Sequence, residues 1–405
     1  MYLISADKIF LCDDDFSILD NKAFVFDEKI IQIGDLQDLK IKFPQAKIIN
    51  TPKNSLILPS FLNLHTHLEF SANSYTLEFG DFLKWVKSVI KSRDNLNKKA
   101  KDELISKIIT KMKKSGTGLI GEISSFGSDL NSCANSDIRM IFFNEILGVD
   151  KALNEAKKQD FKTRFMKSLE FKNDLFIPAV SIHSSYSVND ELIKFGLDFA
   201  KKYDTLVSTH FLESNYENLW IKKGKGKFKE WFKNFNQKEP LHSDDKFLSY
   251  FKGQRTLFAH CVWVDDFSMF DENLHHISHC AFSNFLLSKK TLNLKKAFKH
   301  TKNIHIATDG LSSNISLSML DEMRANLLIH KDFNMQEFAK MLILMATNKP
   351  AKAVNLKLGQ IKQGYEADFS VFNIQECEDE QLPLQFILNA KEVDKIFIKG
   401  KECKL

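Results

Sequence analysis

The most chemically suggestive stretch is Leu62-Asn63-Leu64-His65-Thr66-His67, where two histidines spaced i, i+2 close an apolar run. On a β-strand that spacing turns both imidazoles to one face. Neutral imidazole is the commonest protein ligand of a transition metal, so two on one rigid strand end make half of a metal site. A His-x-His pair alone is weak evidence, and the chain must supply further ligands and a group that moves protons. Downstream, His183, His210, His260, His279 and Asp309 each follow a short apolar run, and Glu213 lies three residues after His210.

Those residues need a frame that brings distant segments to one point. The middle of the chain alternates apolar runs with amphipathic stretches. Strands are expected at 56–64, 118–124, 139–145, 176–182, 206–209, 255–259, 276–279 and 304–308, separated by helical stretches such as Asn97 to Lys114, Asn189 to Lys202 and Leu292 to Phe298. Eight β/α units predict an α/β protein, a (β/α)8 TIM barrel whose strand carboxyl ends carry the catalytic groups. The histidines and Asp309 fall at those ends. Residues 1–57 and 353–405 alternate apolar and polar in short runs with turn signals such as Gly34-Asp35, Gly364 and Gly400. The expectation is a small β-sandwich built from both chain termini, 1–57 plus 353–405, with the barrel spanning 58–352.

Composition narrows the function classes. The chain has 405 residues, 43% hydrophobic and 27% charged, with a net charge of +5. That balance argues against a dedicated nucleic-acid surface. No apolar run is long enough for a bilayer span and no secretory leader pattern is expected at Met1-Tyr2-Leu3. The six cysteines are scattered without a Cys-x-x-Cys pair, which reads as free thiols in the cytoplasm. The 36 Phe read as compositional bias.

Five ordered pieces together resemble the amidohydrolase superfamily: His65-Thr-His67, Ser208-Thr-His210-Phe-Leu-Glu213, Leu257-Phe-Ala-His260, His279-Cys-Ala-Phe-Ser-Asn284 and Ala307-Thr-Asp309-Gly. Within it they are similar to the branch of adenosine, methylthioadenosine, guanine and triazine deaminases or chlorohydrolases. The sequence His67-Leu-Glu-Phe-Ser is similar to that of the 6-aminodeoxyfutalosine deaminases that epsilon-proteobacteria use in menaquinone synthesis. The resemblance implies one Zn2+, or Fe2+, held by His65, His67, His210 and Asp309. Binuclear relatives carry a lysine at the end of strand four, where this chain has Ile182-His183-Ser184. It further implies that Glu213 moves a proton between water and a ring nitrogen, that His260 orients or deprotonates the water, and that Asp309 passes a proton to the leaving ammonia.

Substrate contacts are expected from His183, Glu213, Glu69, Glu145 and Trp85, with Glu69 or Glu145 reaching a sugar hydroxyl. The Lys-rich stretch Ile221 to Pro240 has two readings. It is either a flap hinged at Gly224 and Gly226 whose lysines meet an anionic substrate, or a solvated helix and turn. The reaction implied is deamination of a 6-aminopurine nucleoside, 6-aminodeoxyfutalosine first. Adenosine, methylthioadenosine or S-adenosylhomocysteine, a triazine, or a non-catalytic scaffold are the alternatives. A homodimer is a further possibility that relatives suggest.

Overall fold

The computed structural model describes residues 1–72, 76–99, 101–235 and 237–405. The N-terminal segment forms β1 (Tyr2–Phe10), β2 (Ile18–Phe26), β3 (Ile30–Gly34), β4 (Lys47–Ile49) and β5 (Ser55–Pro59). Eight further strands follow: β6 (Phe61–Thr66), β7 (Thr117–Ser124), β8 (Arg139–Ile146), β9 (Phe176–Ser184), β10 (Val207–Phe211), β11 (Thr256–His260), β12 (His275–His279) and β13 (Ile304–Ile306). The chain closes with β14 (Phe369–Asn373), β15 (Lys395–Ile398) and β16 (Lys401–Glu402).

Strands β6 to β13 pair in sequence order, all parallel, as a (β/α)8 barrel. Every residue of β7 and β8 is buried, as expected of parallel strands covered on both faces. The seam between β13 and β6 closes through specific bonds. Asn63 Nδ2 donates to Thr308 Oγ1 at 2.7 Å, Thr308 N donates to Asn63 Oδ1 at 3.2 Å, and Asp309 N donates to the His65 carbonyl at 3.0 Å. The seam therefore fixes the register of the first and last strand ends against each other. A side chain at Gly121 would put a Cβ 2.5 Å from the Leu64 carbonyl oxygen, so glycine there permits the close approach of β7 to β6.

Helices pack outside with local signals that the sequence states openly. Asn189 caps Asp190–Lys202 by accepting from the amides of Glu191 and Leu192, and Ser214 caps Asn215–Lys223 by accepting from Glu217 N. The expected helix from Asn97 is two helices, Phe82–Lys99 and Asp102–Lys114. Phenylalanines fill the space between layers: Phe161, Phe165, Phe195 and Phe199 meet at ring-centroid distances of 4.9 to 6.0 Å. Among the described residues no helix is long and apolar enough to cross a membrane. All six cysteines are free thiols.

The first barrel strand is shorter than the expected 56–64. Its front half, β5, belongs to a second sheet built from both termini, pairing antiparallel with β14 and parallel with β1. Hydrophobicity hides the break because both halves are fully buried. Ser60 marks it: its amide bonds to the Asp368 carbonyl on one side, while the Phe61 amide turns to Gly116 in the barrel. Arg139, at the start of β8, ties sheet to barrel. Its guanidinium bonds Asp368 through Nε at 2.5 Å and Nη2 at 3.1 Å, and Glu366 through Nη2 at 2.9 Å.

Candidate active site

The carboxyl ends of β6, β10, β11 and the turn after β13 meet at the barrel mouth. His67 Nε2 lies 3.2 Å from His210 Nε2 and 3.4 Å from Asp309 Oδ1, and His65 Nε2 lies 3.8 Å from the same oxygen. His210 Nδ1 donates to the His183 carbonyl at 3.0 Å, which leaves the Nε2 lone pair facing the cluster. His65 is fully buried, yet among the described residues neither of its ring nitrogens has a hydrogen-bond partner, and His67 Nδ1 also lacks one. Buried polar atoms are rarely left unpaired. One divalent cation where the ring nitrogens of His65, His67 and His210 converge would take one nitrogen from each, and three imidazoles with one carboxylate suit Zn2+ or Fe2+. Burial, then the neighbouring imidazoles, holds His65 well below the usual histidine pKa. It is thus a neutral ligand.

Asp309 is held from behind. Its Oδ2 accepts from Ser283 Oγ at 2.7 Å and Ser313 Oγ at 2.8 Å, so Oδ1 is left for the histidines. Burial pushes its carboxyl up, but the histidines and Ser283 bring it below the usual range. Glu213 sits opposite, its Oε1 3.6 Å from His260 Nε2. Burial first, then Asp309 and Glu217, pushes the Glu213 carboxyl well above the usual range, while burial lowers His260 to about 4. A carboxyl raised in this way beside an imidazole lowered to about 4 can exchange a proton with it. The backbone is strained here: His260 (φ 73°) and Asp309 (φ 61°) are both left-handed, an arrangement costing roughly 1–3 kcal/mol each and concentrated at functional sites.

Glu145, His183 and His210 also place ligand atoms close together. His210 has only one free lone pair, on Nε2, so it serves a single cation. The clusters open into one cavity of about 690 Å³ with a largely apolar wall, to which Trp85, Tyr186, Trp231, Phe232 and Phe235 contribute. Trp85 lines the wall with its Nε1 bonded to the Ser312 carbonyl at 2.8 Å. His183 lines it too, with Nδ1 2.6 Å from Ser187 Oγ, and Glu145 reaches it while accepting from Ser125 Oγ at 2.6 Å.

One expectation needs correction, and the two open readings of the Lys-rich stretch can be compared with its structure. Glu69 does not reach the cavity: its carboxylate accepts from the amides of Ser125, Phe126 and Ser128 and from Ser128 Oγ, so it clamps the loop after β7 rather than meeting a sugar. The stretch after β10 forms the helices Asn215–Lys223 and Lys227–Phe232 and turns aromatic rings to the cavity, whereas its lysines face elsewhere. Lys222 pairs with Asp265 and Asp244, and Lys233 with Glu230. Gly224 and Gly226 cap the two helices.

An amidohydrolase family model matches residues 56–403. The chain belongs to the amidohydrolase family. It is 40% identical over 393 residues, 95% of this chain and 96% of the relative, to an aminodeoxyfutalosine deaminase from a Nitratiruptor species. It is 37% identical over 408 residues, 98% of each chain, to an adenosine deaminase of Helicobacter pylori. The crystal structure of H. pylori aminofutalosine deaminase in complex with methylthio-coformycin superposes with a TM-score of 0.95 at 35% identity, covering 100% of each chain.

In this amidohydrolase several supporting residues escape sequence reasoning. Ser283 and Ser313 brace Asp309, Asn284 Nδ2 lies 2.9 Å from His260 Nδ1, and Glu217 accepts from the Glu213 amide at 2.9 Å. Glu122 accepts from Leu68 N and Thr66 Oγ1, holding the strand end that carries His65 and His67. Only Asn284 carried a signal, as part of the motif that follows His279. Serines and buried glutamates are too common to announce themselves.

Proposed function

We propose that this amidohydrolase is a metal-dependent aminohydrolase that converts the 6-amino group of a purine nucleoside to an oxo group with release of ammonia, and that its substrate is aminodeoxyfutalosine. The observation that carries the reading is the pairing of two chemistries on one cavity floor. The cluster of His65, His67, His210 and Asp309 faces Glu213 and His260. The relative at 40% identity, an aminodeoxyfutalosine deaminase, supports the choice of nucleoside.

His65, His67, His210 and Asp309 hold the cation, Zn2+ or Fe2+. When bound it supplies Lewis acidity that brings the ionisation of water near neutrality. Glu213, whose carboxyl burial raises, passes a proton to a ring nitrogen of the purine, which makes C6 electrophilic, and takes back the first proton of the attacking water. The neutral His260 imidazole orients the attacking water beside it. Asp309, positioned by two serine hydroxyls, takes the water's remaining proton and delivers it to the departing amine. Proton count is conserved: one water is consumed and one ammonia leaves. Trp85 and His183 border the sugar, and Glu145 offers it a carboxylate acceptor. The free thiols support a cytoplasmic setting.

The test is ammonia release by Zn-loaded protein given aminodeoxyfutalosine, methylthioadenosine, S-adenosylhomocysteine and adenosine separately. Preference for aminodeoxyfutalosine by orders of magnitude in kcat/KM is expected, and places the enzyme in menaquinone synthesis. Preference for adenosine, the substrate named for the H. pylori relative at 37% identity, keeps the chemistry and replaces the substrate. Release from none, with chloride release from a chlorotriazine, overturns the reading.

A further inference from the structure

The cavity is large and has a mostly apolar wall. Its volume of about 690 Å³ suits a drug-sized ligand, for which pockets of roughly 300–1,000 Å³ are usual. At its rim Ile90, Leu153 and Phe235 are 44%, 52% and 46% exposed, large apolar side chains left in water around one opening. Contiguous exposed apolar groups around a cleft mark a binding surface. Within this collar stands Lys157, the only lysine or arginine in the lining among the described residues.

Lys157 lies on the helix Asn154–Leu169, in the connection that follows Glu145 on β8. The next residue, Lys158, is paired with Glu155 and Glu191, whereas Lys157 has no carboxylate within 4 Å among the described residues. Asp150, also in the lining, directs a carboxylate oxygen to the Ala152 amide at 3.0 Å, capping its own turn. The stem of Lys157 passes over Gly148, where an added Cβ would come within 3.4 Å of its Cγ and 2.8 Å of Leu192. A cation set in an apolar collar, opposite a floor that binds a polar ring, fits a ligand with an anionic far end.

We infer that Lys157 is the counterion that selects the nucleoside proposed above, whose 5′ arm carries an aromatic carboxylate. The inference rests on the nucleoside reading above and assigns the residue that discriminates among nucleosides. The aromatic part of the arm packs against Ile90, Leu153 and Phe235. The carboxylate meets Lys157 at the rim, where solvent screening moderates the pair.

The test uses the metal-loaded protein and an inert ligand, the 6-oxo nucleoside carrying the 5′ aromatic carboxylate, beside its methyl ester. Isothermal titration gives Kd for each. The acid is expected to bind about tenfold more tightly than the ester, the lower end of what a charge-assisted hydrogen bond supplies. Lys157→Met should bring the ratio to about one without moving the ester's Kd, Lys157→Arg should restore it, and added salt should shrink it. A wild-type ratio near one, a ratio that survives Lys157→Met, or failure of both ligands to bind overturns the assignment. Because neither ligand is turned over, failure of the deaminase reading would appear separately, in the ammonia assay.

Discussion

Replacing Glu213 by Gln isolates proton transfer from everything else at the site. The Glu213 side chain is buried, and its polar neighbour is His260 Nε2 at 3.6 Å, too long for a hydrogen bond. What holds the segment is the backbone, with the Glu213 amide on Glu217. Gln has the same shape and loses no structural bond, so packing and the positions of His65, His67, His210 and Asp309 stay as they are. The change removes a carboxyl that burial raises well above its usual range. General acid catalysis is worth about 10²- to 10⁴-fold, which at 1.36 kcal/mol per decade is roughly 3–5 kcal/mol of barrier. The expected outcome is a loss of that size in kcat with metal stoichiometry unchanged and Tm equal to or slightly above that of the wild type. Ammonia release, elemental analysis and thermal unfolding read the three quantities. A kcat within tenfold of wild type would refute the proton-shuttle role, and loss of metal would show that Glu213 belongs to the ligand set instead.

His65→Ala should abolish metal retention and activity together, since the variant deletes a fully buried imidazole from the cluster; full metal occupancy by elemental analysis would contradict this. Arg139→Met should destabilise by about 3–5 kcal/mol, the usual cost of orphaning a buried ion-pair partner, because Asp368 stays buried with little beyond the Lys399 amide to compensate. A Tm shift of less than a degree would show that the two sheets do not depend on this bridge. Glu217→Gln should flatten the pH dependence of stability. Burial raises the Glu217 carboxyl to about 7, with the Ser185 hydroxyl and the Glu213 amide opposing. A raised carboxyl contributes stability that is complete below its unfolded pKa and is lost as pH rises through the folded value. Gln can keep both bonds, accepting from the Glu213 amide and donating to Ser185, so the variant's Tm advantage should grow between pH 5 and 8. An advantage that stays constant across that range would show that Glu217 does not titrate there.

Strand order and strand ends were readable because parallel barrel strands are buried on both faces and so appear as apolar runs, each stopped by a polar residue where the chain meets the mouth. The same burial concealed the division of Ser55–Thr66 into β5 and β6, since hydrophobicity carries no mark of which sheet a buried strand joins. The resemblance to amidohydrolases singled out His65, His67, His210, Glu213, His260 and Asp309, which the fold brings to one barrel mouth. It could not place Glu69. A carboxylate two residues past a metal-facing histidine looks functional in one dimension, and only the fold shows three loop amides already turned to it.

What the sequence by itself determined is the repertoire: imidazoles and carboxylates at strand ends, and the β/α alternation that must bring them together. The tertiary structure decided which of those groups face one another, and which face of the segment after β10 turns inward. That face proved aromatic, because amphipathic helices bury their rings and leave lysines such as Lys222 and Lys233 to pair with surface acids. It also decided that Lys157, one among 57 lysines and arginines, stands alone in the cavity wall among the described residues. Periodicity is set by neighbours along the chain, whereas the convergence of side chains from separate strands is set by barrel closure at Asn63 and Thr308, residues 245 positions apart.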